Sequence, residues 1–206
     1  MTPEFLNGLN DQQKAAVTAE NGSVLVLAGA GSGKTRVLTT RIAWLLSIGK
    51  VSSQEILAVT FTNKAAKEML LRIGSMLPYN LRGMWVGTFH GLCNRMLRYH
   101  HEQAALPESF QILDMQDQLS SIKRLMKNLN VDTDKIVPRQ VQKFINSAKD
   151  EGLRPDNIDD PNGFNRDYIS LYEAYNSQCQ KEGVVDFGEL LLRSLELLRR
   201  SESIRK

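Results

Sequence analysis

Residues 24–36 read Val24-Leu25-Val26-Leu27-Ala28-Gly29-Ala30-Gly31-Ser32-Gly33-Lys34-Thr35-Arg36. An apolar run meets a glycine-rich turn, and Gly33-Lys34-Thr35 opens an amphipathic stretch. Strand, loop and helix in that order are the setting a phosphate-binding P-loop requires. Gly29, Gly31 and Gly33 are expected to take dihedrals that a Cβ forbids, so that the loop amides curl around an anion. The helix that follows points its positive dipole end at the same place. Lys34 offers a compact cation to the β- and γ-phosphates of a nucleotide, and the Thr35 hydroxyl is placed to ligate Mg²⁺. The strict pattern has glycine where Ala28 stands, so the loop matches a relaxed form. A dinucleotide fingerprint fails on spacing, because its third glycine would have to replace Lys34.

Outward from this loop, 206 residues suffice for one sizeable core or for a domain with a second attached. With 42% hydrophobic and 24% charged residues, the composition is that of a globular protein rather than a disordered or membrane-embedded one. No apolar run approaches a membrane span, and the N-terminus lacks a basic-then-apolar signal, which leads to a cytoplasmic expectation with no membrane partner. Cys93 and Cys179 lack metal-type spacing and read as reduced, buried thiols. Residues 1–89 carry 9 Lys and Arg against 5 Asp and Glu, and residues 90–206 carry 17 against 18. The excess positive charge therefore lies on the P-loop side, which is compatible with a polyanionic partner without requiring one.

Hydrophobic periodicity predicts a short helix before residue 19, strands at 24–27, 56–62 and 84–90, and helices at 33–48, from Thr62 or Asn63 onward, and at 91–101. Such alternation predicts a parallel sheet with helices on both faces, ligands binding beyond the carboxyl ends of its strands. The P-loop, 60–64 and 88–90 are then expected to share one rim. From about Phe110 the pattern becomes a set of helices: one from Asp114, one from Pro138, one over 167–181, and one over 190–200 after an apparent capping box at Asp186-Phe187-Gly188-Glu189. The expected architecture is thus α/β, a P-loop (RecA-like) domain over residues 1–89 followed by a mostly helical accessory domain over 90–206.

Gln13, four residues before Val17 on the first helix, has an amide that suits the N6/N7 edge of adenine; a solvated surface glutamine is the plainer alternative. Phe61 and Phe89 at strand ends, beside hydroxyl, amide and amine groups, read either as stacking platforms for single-stranded nucleic acid or as sheet core. His90 reads as a further contact or as a helix cap.

Residues 9–17, 28–36, 59–69 and 87–92 together resemble consecutive motifs of superfamily-one DNA helicases of the UvrD/PcrA/Rep type. Asp150-Glu151-Gly152-Leu153-Arg154-Pro155 and Val185-Asp186-Phe187 are similar to that group's accessory domain. The resemblance implies an ATP-dependent, 3′–5′ DNA helicase using ATP and Mg²⁺. It places Gln13 on adenine, Ala28, Gly29, Ala30, Gly31, Ser32, Gly33 and Lys34 around the phosphates, with Lys34 acting in catalysis, Thr35 on the metal and Arg36 against the base. It assigns Phe61, Thr62, Asn63, Lys64, Thr88, Phe89 and His90 to single-stranded DNA. Single/double-strand junctions, repair proteins and a second motor domain follow as partners.

One part of the pattern is missing. A P-loop ATPase needs an acidic residue at a strand end to help hold Mg²⁺, and the family supplies Asp-Glu there. Ile112-Leu113-Asp114 and Val184-Val185-Asp186 are the nearest matches, neither followed by Glu, and both aspartates read better as N-caps. The chain is accordingly expected to be an N-terminal piece of a longer helicase, essentially inactive alone. A P-loop small-molecule kinase and a nucleotide- or DNA-binding module without turnover remain as alternatives.

Overall fold

The computed structural model describes residues 3–20, 22–78 and 81–205. The chain is α/β, with mostly helices and short parallel strands, and it divides into two compact units, Met1–Leu92 and Cys93–Lys206.

In the first unit α1 (Asp11–Thr18) and α2 (Lys34–Ser47) pack through Leu6, Val17 and Val37. Beyond α2 come β1 (Leu57–Thr60), α3 (Asn63–Met76), β2 (Trp85–Thr88) and the start of α4 (Phe89–Tyr99). β1 and β2 pair in parallel, Leu57 opposite Trp85 and Thr60 opposite Thr88. A helical crossover is the connection that parallel strands require, and α3 supplies it. Ile42, Ala43 and Leu46 of α2 and Met69 and Ile73 of α3 close over Ala58, Ile56 and Met84 to form the core. α2 ends in a Schellman arrangement, Gly49 N–H donating to the Leu46 carbonyl and Lys50 N–H to that of Leu45. Thr62, rather than Asn63, caps α3: its Oγ1 accepts from Ala65 N–H at 3.1 Å.

Two expectations for this unit are corrected. Residues 24–27 form no strand, and Leu25 and Leu27 are 82% and 86% exposed. An extended run becomes a strand when a neighbour takes up its backbone N–H and C=O groups. Among the described residues the sheet holds β1 and β2 alone. Val24 and Val26 instead line a groove of about 350 Å³ with Ala16, Val37, Leu38 and Arg41. Cover on the second sheet face is partial among the described residues: α2 and α3 share the face that carries Ala58, while on the other Leu57 is 67% exposed and Val59 half-buried.

The second unit contains β3 (Gln111–Leu113), α5 (Met115–Asn128), α6 (Pro138–Asp150), α7 (Arg166–Glu182), β4 (Val184–Asp186), α8 (Phe187–Arg200) and α9 (Glu202–Arg205). One core joins Ile122 and Met126 of α5, Val141 and Ile145 of α6, and Tyr172 and Tyr175 of α7. Here the helical pattern concealed a short parallel pair, β3 with β4, Leu113 opposite Asp186. Asp114 caps α5 through Oδ1, which accepts from Gln116 and Asp117 N–H. Asp186 caps α8 through Glu189 N–H at 2.7 Å, yet the expected capping box is half made, because the Glu189 carboxylate turns away to three cations. Cys179 is buried and Cys93 half-buried, both free thiols. Burial pushes the Cys179 thiol up to about 11, as suits an unreactive core position.

Candidate nucleotide site and nucleic-acid rim

The loop before α2 turns through two left-handed glycines, Gly31 at φ 77° and Gly33 at φ 86°. Gly29 does not take such a dihedral, which narrows the expectation to two of the three glycines. Gly33 is the N-cap position of α2 and supplies no side-chain hydrogen bond, so the first-turn amides keep their capacity for an anion. Lys34 folds over the loop, its Nζ donating to the carbonyls of Ala28 at 2.9 Å and Gly29 at 2.7 Å. Ser32 Oγ also donates to the Gly29 carbonyl, at 2.7 Å. Ala30 lies in the same exposed turn. The ammonium thus waits on weak dipoles, and a phosphate dianion arriving at the loop offers it a stronger partner.

Gln13 reaches this loop from α1, and Arg36 stands on the first turn of α2 just beyond it. Gln13 Nε2 donates to the Ser32 carbonyl at 3.1 Å in an exposed hydrogen bond. A Cβ on Gly33 would lie 3.1 Å from that same nitrogen. Arg36, on the first turn of α2, brings Nη2 to within 3.3 Å of where a Cβ on Gly8 would stand. Arg36 thus lies beside Gly8, and Gln13 of α1 beside the loop.

At the sheet, the register Thr60 opposite Thr88 brings 61–64 and 88–90 side by side at the carboxyl ends of β1 and β2. Phe61 is 99% exposed and Phe89 65%, so neither ring lies in the core of this unit. Thr88 makes a cap-type bond at the head of α4, its Oγ1 accepting from Gly91 N–H at 3.1 Å. Thr62 and Thr88 use their hydroxyls as acceptors in this way, and each retains an O–H to donate. Asn63, Lys64 and His90 are exposed on the same first turns. Two helix N-termini, a lysine and two open aromatic rings give this rim the chemistry of a backbone-and-base contact surface. The P-loop is not joined to that rim by any strand among the described residues.

Thr35 is the hydroxyl ligand such a site would give to Mg²⁺, and Mg²⁺ usually adds one or two carboxylates, phosphate oxygens and waters. Among the described residues, no group of three or more His, Cys, Asp or Glu gathers to hold a metal. Asp114 and Asp186 are both occupied as caps. The residues present fit a metal held chiefly by nucleotide phosphates.

A polar cluster that sequence reasoning missed lies inside the second unit. Lys149, with 2% of its side chain exposed, sits 2.8 Å from Asp186 Oδ2 and 3.0 Å from Glu189 Oε2. Arg154 clamps Glu189 and Glu196 through four bonds of 2.7–2.9 Å, and Arg193 Nε adds a fifth to Glu189 at 2.8 Å. Tyr175 and Gln118 complete Asp186 Oδ2 at 2.9 and 3.0 Å. Burial alone would raise the Glu189 carboxyl, but Lys149 and Arg154 outweigh it and hold the group far below the usual carboxylate range. The one signal available was positional: Lys149 falls on the same stripe of α6 as buried Val141 and Ile145. A cleft of about 760 Å³ lies above this network, and the floor groups Arg154, Arg193 and Glu196 are already paired within the protein.

The model of the UvrD/REP helicase N-terminal domain matches residues 9–206. The chain belongs to this family. DNA helicase II of Escherichia coli (strain K12) is 55% identical over 194 residues, which cover 94% of this chain and 27% of that protein. DNA helicase II of Haemophilus influenzae is 52% identical over 98% of this chain, and ATP-dependent DNA helicase PcrA of Bacillus subtilis (strain 168) 41% identical over 96%. The chain spans little more than a quarter of these UvrD-type relatives, 27–28% of their length. No helix among the described residues is long and apolar enough to cross a membrane.

Proposed function

We propose that this chain supplies the ATP-binding and single-strand-binding surface of a 3′–5′ DNA helicase, its direction following from the family resemblance. The observation that carries this reading is the β1–β2 register, which sets Phe61 and Phe89 together at one rim with Thr62, Asn63, Lys64, Thr88 and His90. The loop 28–33 cradles the phosphates, Lys34 neutralises them, Thr35 joins Mg²⁺, and Gln13 and Arg36 hold the adenine. Residues 1–89 form part of a RecA-like motor domain and 90–206 a helical accessory domain that works near single/double-strand junctions. Turnover draws its acid pair and γ-phosphate arginines from the rest of a helicase of the relatives' length, including a second motor domain. By itself the chain hydrolyses ATP negligibly. The whole protein works in the cytoplasm, with DNA repair or replication as its setting.

Fluorescence anisotropy with labelled single-stranded oligonucleotides tests the rim on this chain. Phe61→Ala is expected to weaken binding by about 1–3 kcal/mol, the value of one base on one ring, while leaving the salt slope unchanged. Lys64→Ala is expected to lessen that slope by about 0.7, one phosphate's share for a single strand. Near-complete exposure of Phe61 means that its truncation leaves the core intact, so an unchanged affinity for Phe61→Ala contradicts stacking directly.

A further inference from the structure

Gln13 reaches the loop with its amide already oriented. Its Oε1 accepts from the backbone N–H of Asn10 at 3.2 Å, and its own backbone N–H donates to Asn10 Oδ1 at 2.8 Å. This reciprocal box opens α1, while Nε2 donates to the Ser32 carbonyl. Turning the amide over would set Nε2 against the Asn10 N–H and Oε1 against the Ser32 carbonyl, donor facing donor and acceptor facing acceptor. The network therefore dictates which end is oxygen.

A primary amide has two donor hydrogens and two acceptor lone pairs. The protein uses one of each here, so one of each remains. Adenine presents an acceptor at N7 beside a donor at N6, whereas guanine presents two acceptors, N7 and O6. The remaining pair on Gln13 matches the first and mismatches the second.

We propose that Asn10 is a positioning residue for base selection: through its backbone N–H and with the Ser32 carbonyl, it fixes the Gln13 amide in the orientation that accepts adenine and rejects guanine. This rests on reading the first unit as a nucleotide site with Gln13 at the base. Asn10 touches no ligand itself and acts through Gln13. A purely structural cap would affect both nucleotides alike, and the ratio of the two affinities separates these roles.

Calorimetry on this chain with Mg-ATP and Mg-GTP, for the parent sequence, Gln13→Ala, Asn10→Ala and Asn10→Pro, provides the test. One correctly placed bidentate pair discriminates between bases by roughly 5- to 150-fold. Asn10 has φ −73°, which proline can adopt, so Asn10→Pro removes the backbone N–H that holds Gln13 Oε1, whereas Asn10→Ala removes only the side-chain cap. The parent is expected to prefer ATP within that range, Gln13→Ala to lose the preference, Asn10→Pro to lose at least half of it on a logarithmic scale, and Asn10→Ala to keep the ratio. Equal weakening of both nucleotides in Asn10→Pro, with the ratio intact while Gln13→Ala abolishes it, overturns the role of Asn10 and leaves Gln13 at the base. An unchanged ratio in Gln13→Ala overturns the adenine reading as well. Absence of ATP binding by the parent sequence overturns the nucleotide site and this inference with it.

Discussion

In a helicase of full family length carrying this chain, Lys34→Ala is expected to lower ATP turnover by about 10²–10³, the typical loss when one preorganised group that stabilises transition-state charge is removed. The structure shows why the loss should fall on turnover rather than on the fold. Lys34 is exposed, among the described residues its ammonium bonds only to the Ala28 and Gly29 carbonyls, and α2 takes its register from Gly33 and the core residues Val37, Ile42 and Leu46. Truncation frees two solvent-accessible carbonyls and leaves no buried charge. The charge that builds on the γ-phosphate as it departs then has no cation at this position. Steady-state ATPase assays, with circular dichroism to verify folding, measure the effect. A rate within a few-fold of the unaltered protein contradicts the role given to Lys34.

Glu189→Gln is expected to destabilise the second unit by about 3–5 kcal/mol, the range found when one partner leaves a buried ion pair. Glu189 lies beneath Lys149, Arg154 and Arg193, which together with Asp186 and Glu196 make a cluster of three cations and three carboxylates. An amide there removes one of the three negative charges and turns an N–H₂ toward groups that are themselves donors. The pH dependence carries a second signature. Glu189 titrates below its ordinary value of 4.5 in the folded protein, so its contribution is complete above that value and is lost as pH falls beneath it. Urea titrations from pH 7 to pH 3 should therefore show a steeper acid loss in the parent than in Glu189→Gln, whose stability is already low at pH 7. A variant as stable as the parent at pH 7 would mean that the cluster gains no more from its pairing than from packing.

Much of the candidate nucleotide site's local geometry was legible because its determinants are local. Gly33-Lys34-Thr35, the α2 stripe and the Thr62 cap are each written within a few consecutive residues, and hydrogen bonds spanning three or four positions enforce them. The rim was legible for a related reason, since a fixed strand–helix–strand spacing sets Thr60 against Thr88. What sequence reasoning missed depends on residues far apart in the chain. Lys149, Asp186 and Glu189 meet only because α6 packs against α8, whose N-cap is Asp186, and each residue alone looks like a solvated charge or a cap. The short β3–β4 pair escaped for the same reason: three residues per strand carry too little periodicity to outweigh the helices on either side. The strand expected at 24–27 failed in the opposite sense, its local signal being strong and its hydrogen-bonding neighbour absent among the described residues. Gln13 was legible as a glutamine on the first helix, but the box it forms with Asn10 appears only when both side chains are seen.

The central claim is that the first unit binds a nucleotide through elements local to α1, the P-loop and α2, while the chain by itself lacks the groups for hydrolysis. Arginine groups at the γ-phosphate are worth about 10³–10⁵ in related phosphoryl-transfer enzymes, and no carboxylate cluster joins Thr35 among the described residues. Titrating this chain with Mg-ATP in a calorimeter, then assaying the same sample for phosphate release with and without single-stranded DNA, tests both halves together. Binding in the micromolar range or weaker, with phosphate release at background under both conditions, is the predicted result. No heat of binding, or strong release stimulated by DNA, would contradict it.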